Sequence, residues 1–476
     1  EGAKMRYSSI ENWSKNVYNL NTKRGLVEKD GTLVWVSGNM GCLTENSKVY
    51  TNPKGPINIK DIQKGDKVYV WDKKTNSIKK SLVLNKIFSG TKEVFSVEAG
   101  GRAIEASANH PFLTLTRKKN NHSHKKSFFH HEWKILEELN EGDIIGIAKK
   151  LPIEGEPYQL PPLPINKIVK SKNQYSEFKM NISNHYRKDI SLPKETDEDF
   201  MWLMGILLGD GFIDSSKINL AIHETDPLRP IIIGIVKKLF NYTITTKKER
   251  YMEIYSTALG KLFTNIGFGG DAGTKKVPQW VFKLPRNQIL AFIAGYQDSD
   301  GHPSKHALAF TSINKEILKS IKTLGIFCGF GVSRIFKHRE ANEVIIVGNK
   351  CNANESWRIH LNGKNIQDIP IRSPDKQKRA ESIKSRRNFS TVAGLNFKSK
   401  TNNEIGFATI QKITSLGPKP TYDIEVKDYH NFISNGMIVH NSSTTMLYPC
   451  SILRGEGAKT DNISIAFAGK DQVQDI

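Results

Sequence analysis

The sequence is poor in cysteine and contains no long apolar run. Its four cysteines, Cys42, Cys328, Cys351 and Cys450, include no pair with CxxC spacing, which argues against a disulfide scaffold and against a structural zinc cluster. No apolar run approaches the roughly 18 residues that span a bilayer, and residues 1–30 lack the apolar core of a signal peptide. We therefore expect a soluble, cytoplasmic protein that has no membrane partner.

Acidic residues are scarce relative to basic ones. The chain has 48 Asp and Glu against 70 Lys and Arg, so its formal charge is +22. A hydrophobic fraction of 38% is typical of a globular protein, and at roughly 100–200 residues per domain the 476 residues predict two to four domains. The excess of positive charge favours a polyanionic partner, with nucleic acid as the leading candidate.

The pattern of apolar residues changes along the chain. Short β-type runs extend over residues 42–147, a linker with five prolines follows at 152–164, and helical patterns begin after Thr196. The β-type runs return from about residue 395. This order predicts an all-β module, split in sequence, with a mixed α/β (α+β) unit inserted into it.

One segment of the β module is strongly basic. Residues 117–133 hold five Lys or Arg residues and four histidines, which are His122, His124, His130 and His131. The histidines suggest a metal site, but the basic residues around them favour a loop that contacts DNA phosphate. A solvated loop without a role is the alternative.

Two segments of the inserted unit repeat each other. Residues 203–211 and 293–301 each contain an apolar helical turn, a glycine, a small residue four positions later and then Asp-Gly. The small residues share one helix face, so two helices can approach closely, and the glycines after the acids suit helix C-caps. Asp210 and Asp300 would then lie side by side. Because adjacent carboxylates repel each other, this arrangement predicts a shared divalent cation such as Mg²⁺.

One copy alone would indicate only close helix packing, but the doublet resembles the LAGLIDADG homing endonucleases over about residues 197–385. The resemblance implies cleavage of both strands of a long DNA site, with Asp210 and Asp300 as metal ligands. The first copy departs from the family at Leu208, where members often carry Asp.

The same resemblance implies catalytic lysines. Lys275, in the Lys-Lys-Val-Pro segment ahead of the second motif, matches a family lysine that polarises the attacking water or stabilises the phosphate charge. A solvated loop lysine is the alternative. For the second repeat, both Lys376 and Lys378 remain candidates.

The β module contains a second set of residues with chemical potential. In chain order they are Cys42, Ser107, His110, Asp423, His430, His440, Asn441 and Ser442. Each alone means little, since a lone cysteine is usually a small buried hydrophobe. Together they resemble an intein of the Hint fold that covers the 400 residues from Cys42 to Asn441. The one departure is Ser107, where inteins more often have Thr, and both residues supply a hydroxyl.

The resemblance and the residue types together imply self-splicing. The Cys42 thiol attacks the Gly41 carbonyl to form a thioester, and His110 protonates the departing nitrogen. Ser442 then attacks the thioester, with Asp423 handling protons between the two ends.

Chain cleavage follows in the same scheme. Asn441 cyclises to a succinimide with help from His440 and His430, and an acyl shift then forms the Gly41–Ser442 peptide bond. Splicing needs no cofactor.

The flanks contain the segments Asn12–Tyr18 and Ile463–Gly469. With these segments they resemble the SufB-type scaffold of iron–sulfur cluster assembly, which implies a β-helix core and SufC- and SufD-like partners. Because residue 1 is Glu rather than Met, we expect a piece of that protein. The spliced sequence from Val36 to Leu447 predicts continuous β structure, and Cys450 is either a cluster ligand or, more simply, a buried thiol.

We predict six segments along the chain. We call the protein that the intein interrupts the host. The segments are a host fragment at 1–41, the splicing domain at 42–150, a linker at 151–196, the endonuclease at 197–390, the rest of the splicing domain at 391–441 and a host fragment at 442–476. Two alternatives are an endonuclease with an inactive splicing frame and an iron–sulfur scaffold with an inert insertion. A Hedgehog-like module is disfavoured because that family does not require His440, Asn441 and Ser442.

Overall fold

The structure is a computed structural model. It describes residues 25–29, 32–38, 41–118, 128–162, 190–214, 217–245, 248–346, 349–383, 404–441 and 445–449. Ser442, His122, His124 and Cys450 lie outside the described residues. Within them, no helix is both long and apolar enough to cross a bilayer.

The first part of the chain consists of strands. They are β1 (Gly25–Lys29), β2 (Thr32–Gly38), β3 (Leu43–Thr44), β4 (Lys48–Asn52), β5 (Gly55–Asn58), β6 (Lys67–Asp72), β7 (Ser77–Ala99), β8 (Arg102–Ser107), β9 (Pro111–Lys118), β10 (Phe128–Ile135) and β11 (Ile144–Ala148). Turn residues separate them, as the sequence predicts. The basic segment is therefore partly strand, because β9 and β10 form an antiparallel pair.

Helices and short strands follow. The helices are α1 (Glu198–Asp210), α2 (Leu228–Phe240), α3 (Thr257–Asn265), α4 (Arg286–Ser299), α5 (Lys315–Cys328) and α6 (Pro374–Glu381). The strands are β12 (Gly211–Ile213), β13 (Ile218–Leu220), β14 (Met252–Ile254), β15 (Gly301–Pro303), β16 (Leu308–Ser312), β17 (Gly331–Val332), β18 (Phe336–Arg339), β19 (Asn342–Ile346), β20 (Asn349–Ala353) and β21 (Ser356–Asn362). Their sheets are antiparallel, so this unit is α+β.

The last strands return to the first sheet. They are β22 (Ile405–Val426), β23 (Asn431–Ser434), β24 (Met437–His440) and β25 (Thr445–Pro449). The long strands β7 and β22 pair along most of their length, and β11 pairs with β22 through Ile144 and Thr409. Segments on both sides of the helical unit therefore share one sheet, and apolar side chains such as Leu43, Val70 and Ile424 form a core within it.

The two repeat helices pack against each other, as predicted. Asp197 caps α1 by accepting a 2.7 Å hydrogen bond from the Phe200 amide. A Cβ atom on Gly205 would lie 2.3 Å from the Phe292 carbonyl oxygen, and one on Gly295 would lie 2.0 Å from the Trp202 carbonyl oxygen. Glycine is therefore required at both positions because the two backbones are in contact.

At α4 the C-cap is Asp300, the residue before Gly301. At α1 the C-cap is Gly211, as the sequence predicts, and its amide donates to the Leu207 carbonyl oxygen. Gly211 has φ of −94°, so it does not adopt the left-handed conformation that usually favours glycine at a C-cap. A Cβ atom there would instead lie 2.5 Å from the Leu207 carbonyl oxygen, and one on Gly301 would lie 2.4 Å from the Gln297 side chain. Lack of space explains these two glycines.

The chain on both sides of the host junction forms strands, in agreement with the β character predicted for the flanks. Strand β2 pairs with β25 antiparallel, with Gly38 opposite Thr445 and Val34 opposite Pro449. The two flanks therefore contribute neighbouring strands to one sheet. Residues 39–40 and 442–444 lie outside the described residues.

Candidate functional site

Cys42 lies immediately before β3 and is fully buried. Its backbone nitrogen donates a 2.9 Å hydrogen bond to the Ser107 hydroxyl, and the Ser107 amide donates one of 2.9 Å to the Cys42 carbonyl oxygen. The Ser107 hydroxyl donates in turn to Asn109 Oδ1 at 2.8 Å. Since the Cys42 nitrogen belongs to the Gly41–Cys42 peptide bond, these contacts hold that bond in place.

Gly41 fits tightly against the turn that leads into β9. A Cβ atom on Gly41 would lie 2.5 Å from His110 Cα and 2.6 Å from Pro111 Cδ. Burial lowers the pKa of His110 to about 3, and the Gly41 backbone opposes this shift. His110 is therefore a neutral imidazole next to the Gly41–Cys42 bond at physiological pH.

Two charged residues act on the Cys42 thiol. Pairing of Leu43 with Tyr422 brings buried Asp423 next to Cys42, and Lys92 Nζ donates a 3.2 Å hydrogen bond to Cys42 Sγ. Burial raises the pKa of Cys42, Lys92 lowers it and Asp423 raises it further. Sequence reasoning missed Lys92, because it is one of 70 basic residues and belongs to no motif.

The downstream end of the site centres on Asn441. Its side chain is fully buried, and its Oδ1 and Nδ2 atoms have no hydrogen-bond partner among the described residues. Its amide donates to the His430 carbonyl oxygen at 3.1 Å, and His440 Nδ1 hydrogen-bonds the Asn441 carbonyl oxygen. Burial lowers the pKa of His440, so neutral Nδ1–H is the donor.

His430 and His440 form one unit. Their rings stack with centroids 6.5 Å apart, and Trp133 packs edge-on against His440 at 4.8 Å. His430 has φ of +51°, a conformation that costs a non-glycine residue about 1 kcal/mol or more. This backbone presents the His430 carbonyl to the Asn441 amide.

Strand pairing brings the two ends together. Strand β24 pairs antiparallel with β9, and Val439 lies opposite Phe112. Asn441 is two residues after Val439 and His110 is two residues before Phe112, so this pairing brings Asn441 and His110 to the same end of the strand pair. The structure thus gathers seven of the eight predicted residues: Cys42, Ser107, His110, Asp423, His430, His440 and Asn441. The eighth, Ser442, lies outside the described residues.

A second group lies where the repeat helices end. Asp210 is the last residue of α1, and Asp300 follows α4. Burial and then the charge of Asp300 raise the pKa of Asp210 to about 7, and burial raises the pKa of Asp300. A Cβ atom on Gly209 would lie 3.3 Å from Asp300 Oδ2, so this carboxylate lies against the end of α1.

Lys275 is not a solvated loop lysine, because only 4% of it is exposed. Its Nζ donates to the carbonyl oxygens of Leu207 and Leu208, at 3.0 Å each, and to that of Gly211. These are carbonyls that a helix end leaves without an intrahelical partner.

Lys376 makes the equivalent contacts at α4. Its Nζ donates to the Gln297 carbonyl oxygen at 3.1 Å and to the Ser299 carbonyl oxygen at 2.9 Å, while Lys378 is exposed. Of the two lysines left open by the sequence, Lys376 is therefore the structural counterpart of Lys275.

No group of three or more His, Cys, Asp or Glu side chains could hold a metal ion within the described parts of the chain. His131 packs on Trp71 and Phe407 instead. Asp210 and Asp300 supply two carboxylates with raised pKa values, which suits Mg²⁺ when phosphate and water complete its coordination.

Comparison with known proteins agrees with this geometry. A family model described as the intein splicing domain matches residues 49–441. The chain belongs to this intein family. A second model, the SUF system FeS cluster assembly SufBD core domain, matches residues 1–67. Both resemblances drawn from the splicing frame and the flanks are thus confirmed.

One curated relative of this intein-containing chain is an iron-sulfur cluster assembly SufBD family protein of Mycobacterium leprae. It is 31% identical over 419 residues, which are 86% of this chain and 45% of that protein. The chain therefore spans less than half of that relative. Because only 76 residues lie outside the intein, most of the match falls within it.

Solved structures add little. A Ssp DnaB mini-intein variant is 10% identical with a TM-score of 0.28, over 85% of this chain and 96% of that one. Mesophilic variants of the homing endonuclease I-DmoI are 13% identical with a TM-score of 0.26, over 39% of this chain and 95% of that one. Both TM-scores are too low to support a structural argument.

Proposed function

We propose that the chain is a precursor that excises residues 42–441 and joins Gly41 to Ser442. One observation carries this proposal. The nitrogen of the bond to be broken donates a 2.9 Å hydrogen bond to Ser107, beside the buried Cys42 thiol and neutral His110. The register of β9 and β24 supports a common site for both junctions.

In the first step the Cys42 sulfur bonds to the Gly41 carbonyl carbon, and the bond from that carbon to the Cys42 nitrogen breaks. The sulfur loses one proton and the nitrogen gains one, so the composition is unchanged. His110 carries the proton to the nitrogen, and Ser107 holds the nitrogen while it becomes an amine.

Transfer and cleavage follow. The Ser442 hydroxyl attacks the thioester and releases the thiol, with Asp423 passing the proton from oxygen to sulfur. The side-chain amide nitrogen of Asn441 then attacks the backbone carbonyl carbon of the same residue. The peptide bond to Ser442 breaks, and the Ser442 nitrogen takes up the proton that the side-chain nitrogen loses. His440 stabilises the negative charge on that carbonyl oxygen, and an O-to-N shift completes the new peptide bond.

Mass spectrometry of the expressed chain tests the proposal. We expect one product of 400 residues and one ligated peptide of 76 residues. Cys42→Ala combined with Asn441→Ala should abolish both products. Persistence of the intact chain across temperature and pH would leave the alternative of an inactive splicing frame.

A second activity is supported by the two aspartates. We propose that residues 197–390 form a Mg²⁺-dependent, site-specific DNA endonuclease, with Asp210 and Asp300 holding the cation. Bound Mg²⁺ would stabilise the phosphate charge and activate the attacking water. The charges of Lys275 and Lys376 lower the pKa of both carboxyls and so partly oppose the rise that burial causes.

DNA cleavage assays test this second activity. The substrate is the host gene without the insertion, incubated with the excised protein and Mg²⁺. We expect a double-strand cut near the junction that is lost in Asp210→Asn and Asp300→Asn. An intact substrate would show that the repeat helices have only a structural role.

For the host, we propose a SufB-type role in iron–sulfur cluster assembly with SufC- and SufD-like partners. The match of residues 1–67 to the SufBD core domain supports it. Co-purification of the full, spliced host protein with an ATPase and a paralogous scaffold would test it. A spliced host that elutes alone would argue against these partners.

A further inference from the structure

Lys92 contacts the proposed nucleophile directly, with its Nζ 3.2 Å from Cys42 Sγ. We propose that Lys92 is a catalytic residue of splicing, because its ammonium group stabilises the Cys42 thiolate that attacks the Gly41 carbonyl. This inference rests on the proposed splicing chemistry. It adds a residue that none of the sequence motifs contains.

The local fold holds Lys92 at this place. Strand β7 contains a bulge against β22, since Thr91 pairs with Pro420 while Phe88 pairs with Tyr422. Two residues of β7 therefore lie opposite the single residue Thr421 of β22. The Thr421 hydroxyl donates a 2.8 Å hydrogen bond to the Gly90 carbonyl oxygen. Bulges often redirect side chains next to active sites.

Gly90 makes the bulge possible because its φ is +78°, a conformation in which glycine is not strained. Strand β3, which begins one residue after Cys42, pairs with β22 at the same level, with Thr44 opposite Thr421. The bulge therefore lies beside Cys42 in the sheet, and Lys92 follows it in β7.

A buried thiol needs such a cation. Three titratable groups surround the Cys42 sulfur or its scissile bond: Lys92 from β7, Asp423 from β22 and His110 from the turn before β9. Burial and the negative charge of Asp423 both oppose ionisation of the thiol, and His110 is neutral. Lys92 supplies the positive charge that offsets these effects.

The role fits the proton balance of the first step. The thiolate forms the new S–C bond, the C–N bond breaks, and the nitrogen takes up the proton that the sulfur released. Lys92 keeps its own protons throughout, because it acts as a fixed charge. The thiolate is the nucleophilic form of cysteine, so its population at neutral pH limits the rate.

The test measures thioester formation in the full chain carrying Asn441→Ala, with hydroxylamine cleavage as the assay, across pH 6 to 9.5. Lys92→Met removes the charge and keeps the length, and Lys92→Arg keeps the charge. We expect Lys92→Met to be slower than the parent by about tenfold or more at pH 7, with the same deficit at every pH at which the parent thiol is still mostly protonated, since the effect is on ionisation. Lys92→Arg should retain most of the rate.

Lys419→Met is the matched control. Lys419 lies directly opposite Lys92 in the β7–β22 register, but its ammonium pairs with Glu105 at 2.8 Å. This variant loses the same charge from the same strand pair and should keep the normal rate and pH profile. An unchanged rate in Lys92→Met, or an equal loss in Lys92→Met and Lys92→Arg, would overturn the inference.

A second measurement does not depend on splicing. In the Asn441→Ala, His110→Ala background, the ultraviolet absorbance of the Cys42 thiolate is titrated and corrected with Cys42→Ser. Lys92→Met should raise the pKa of Cys42 further, so the midpoint of this titration moves to higher pH by about one pH unit. If this shift appears while the parent chain forms no thioester, the splicing proposal fails and the Lys92 contact stands. If the titration is unchanged, the Lys92 inference fails.

Discussion

Cys42 and Ser107 are joined by two hydrogen bonds of 2.9 Å. The Cys42 backbone nitrogen donates to the Ser107 hydroxyl, and the Ser107 backbone nitrogen donates to the Cys42 carbonyl oxygen. The hydroxyl accepts from the nitrogen that must leave Gly41. This relationship links residues 65 positions apart and explains why a hydroxyl is needed at position 107. Threonine would supply the same acceptor.

Removing that acceptor should slow the first step. Ser107→Ala leaves the Cys42 amide without its partner in a buried site, which costs about 1–3 kcal/mol. We expect thioester formation in the Asn441→Ala chain to fall by about tenfold or more, as followed by hydroxylamine cleavage. Ser107→Thr should restore the rate, and equal rates for Ala and Thr would contradict the role of the hydroxyl.

A methyl group at Gly41 should also impair splicing. The added Cβ would lie 2.5 Å from His110 Cα, which is backbone and cannot move aside cheaply. Gly41→Ala should therefore reduce the rate of thioester formation by about tenfold or more, since a small misplacement of the scissile bond is costly. Gly234→Ala is the control, because a Cβ there meets nothing within 4 Å.

Acid should destabilise the folded precursor through His110. Its pKa is about 3 in the folded chain, against an ordinary value of 6.5, because of burial and the nearby charges of His440 and Lys92. Between these two values the unfolded chain binds more protons, so stability rises with pH across this window and is fully present above 6.5. Lowering the pH from 7 to 5 should cost about 2 kcal/mol from this residue.

Urea unfolding of the Cys42→Ala, Asn441→Ala chain at both pH values measures this loss. Adding His110→Gln should remove about 2 kcal/mol of the pH dependence. An identical pH dependence with and without His110 would show that its imidazole already titrates normally in the folded chain.

Mg²⁺ should stabilise the chain through Asp210. A raised pKa, here about 7, means that stability from this carboxyl falls as pH rises from 3.8 to 7. Without metal at pH 8, Asp210→Asn should therefore raise the free energy of unfolding by about 1–3 kcal/mol.

Calorimetry with and without Mg²⁺, in the Cys42→Ala, Asn441→Ala background, measures both effects. The parent chain should unfold at a higher temperature with Mg²⁺, and Asp210→Asn should not respond. Asp226→Asn is a suitable control, since the charge of Asp226 has less effect on the pKa of Asp210 than those of Asp300, Lys376 and Lys275, and it is not part of the pair. A Mg²⁺ response that survives Asp210→Asn would place the cation elsewhere.

Pairing of the host strands should influence splicing yield. β2 is the central strand of the three-stranded sheet, between β1 and β25. Val36→Pro removes a backbone donor from it and should reduce the yield of ligated peptide severalfold. Val36→Ile keeps the backbone and should leave the yield unchanged, and equal yields for Pro and Ile would show that the flanks do not help to align the junctions.

Local patterns were sufficient to predict the two repeat helices. The spacing of small residues predicted the contact between α1 and α4, and the structure shows it. The contact between Lys92 and Cys42 was not predictable in this way. It depends on a bulge in a 23-residue strand, and neither the bulge nor the pairing of that strand with β22 leaves a local signal.

The antiparallel pairing of β2 with β25 was not predictable either. Alternation of apolar residues identifies a strand but says nothing about its direction or its partner. The tight space at Gly211 and Gly301 also leaves no local signal, because glycine serves both left-handed turns and close contacts.

Under the proposed splicing, the antiparallel pairing of Gly38 with Thr445 has a different sequence separation before and after excision. These residues are 407 positions apart in the chain and would be seven apart in the product, because 400 residues would leave. Closing the longer loop as a flexible chain would cost about 4 kcal/mol more in entropy. The folded intein offsets this cost by holding its own ends together, so it acts as a template for a host contact of high sequence separation. Excision would turn that contact into a local one and so lower the contact order of the host.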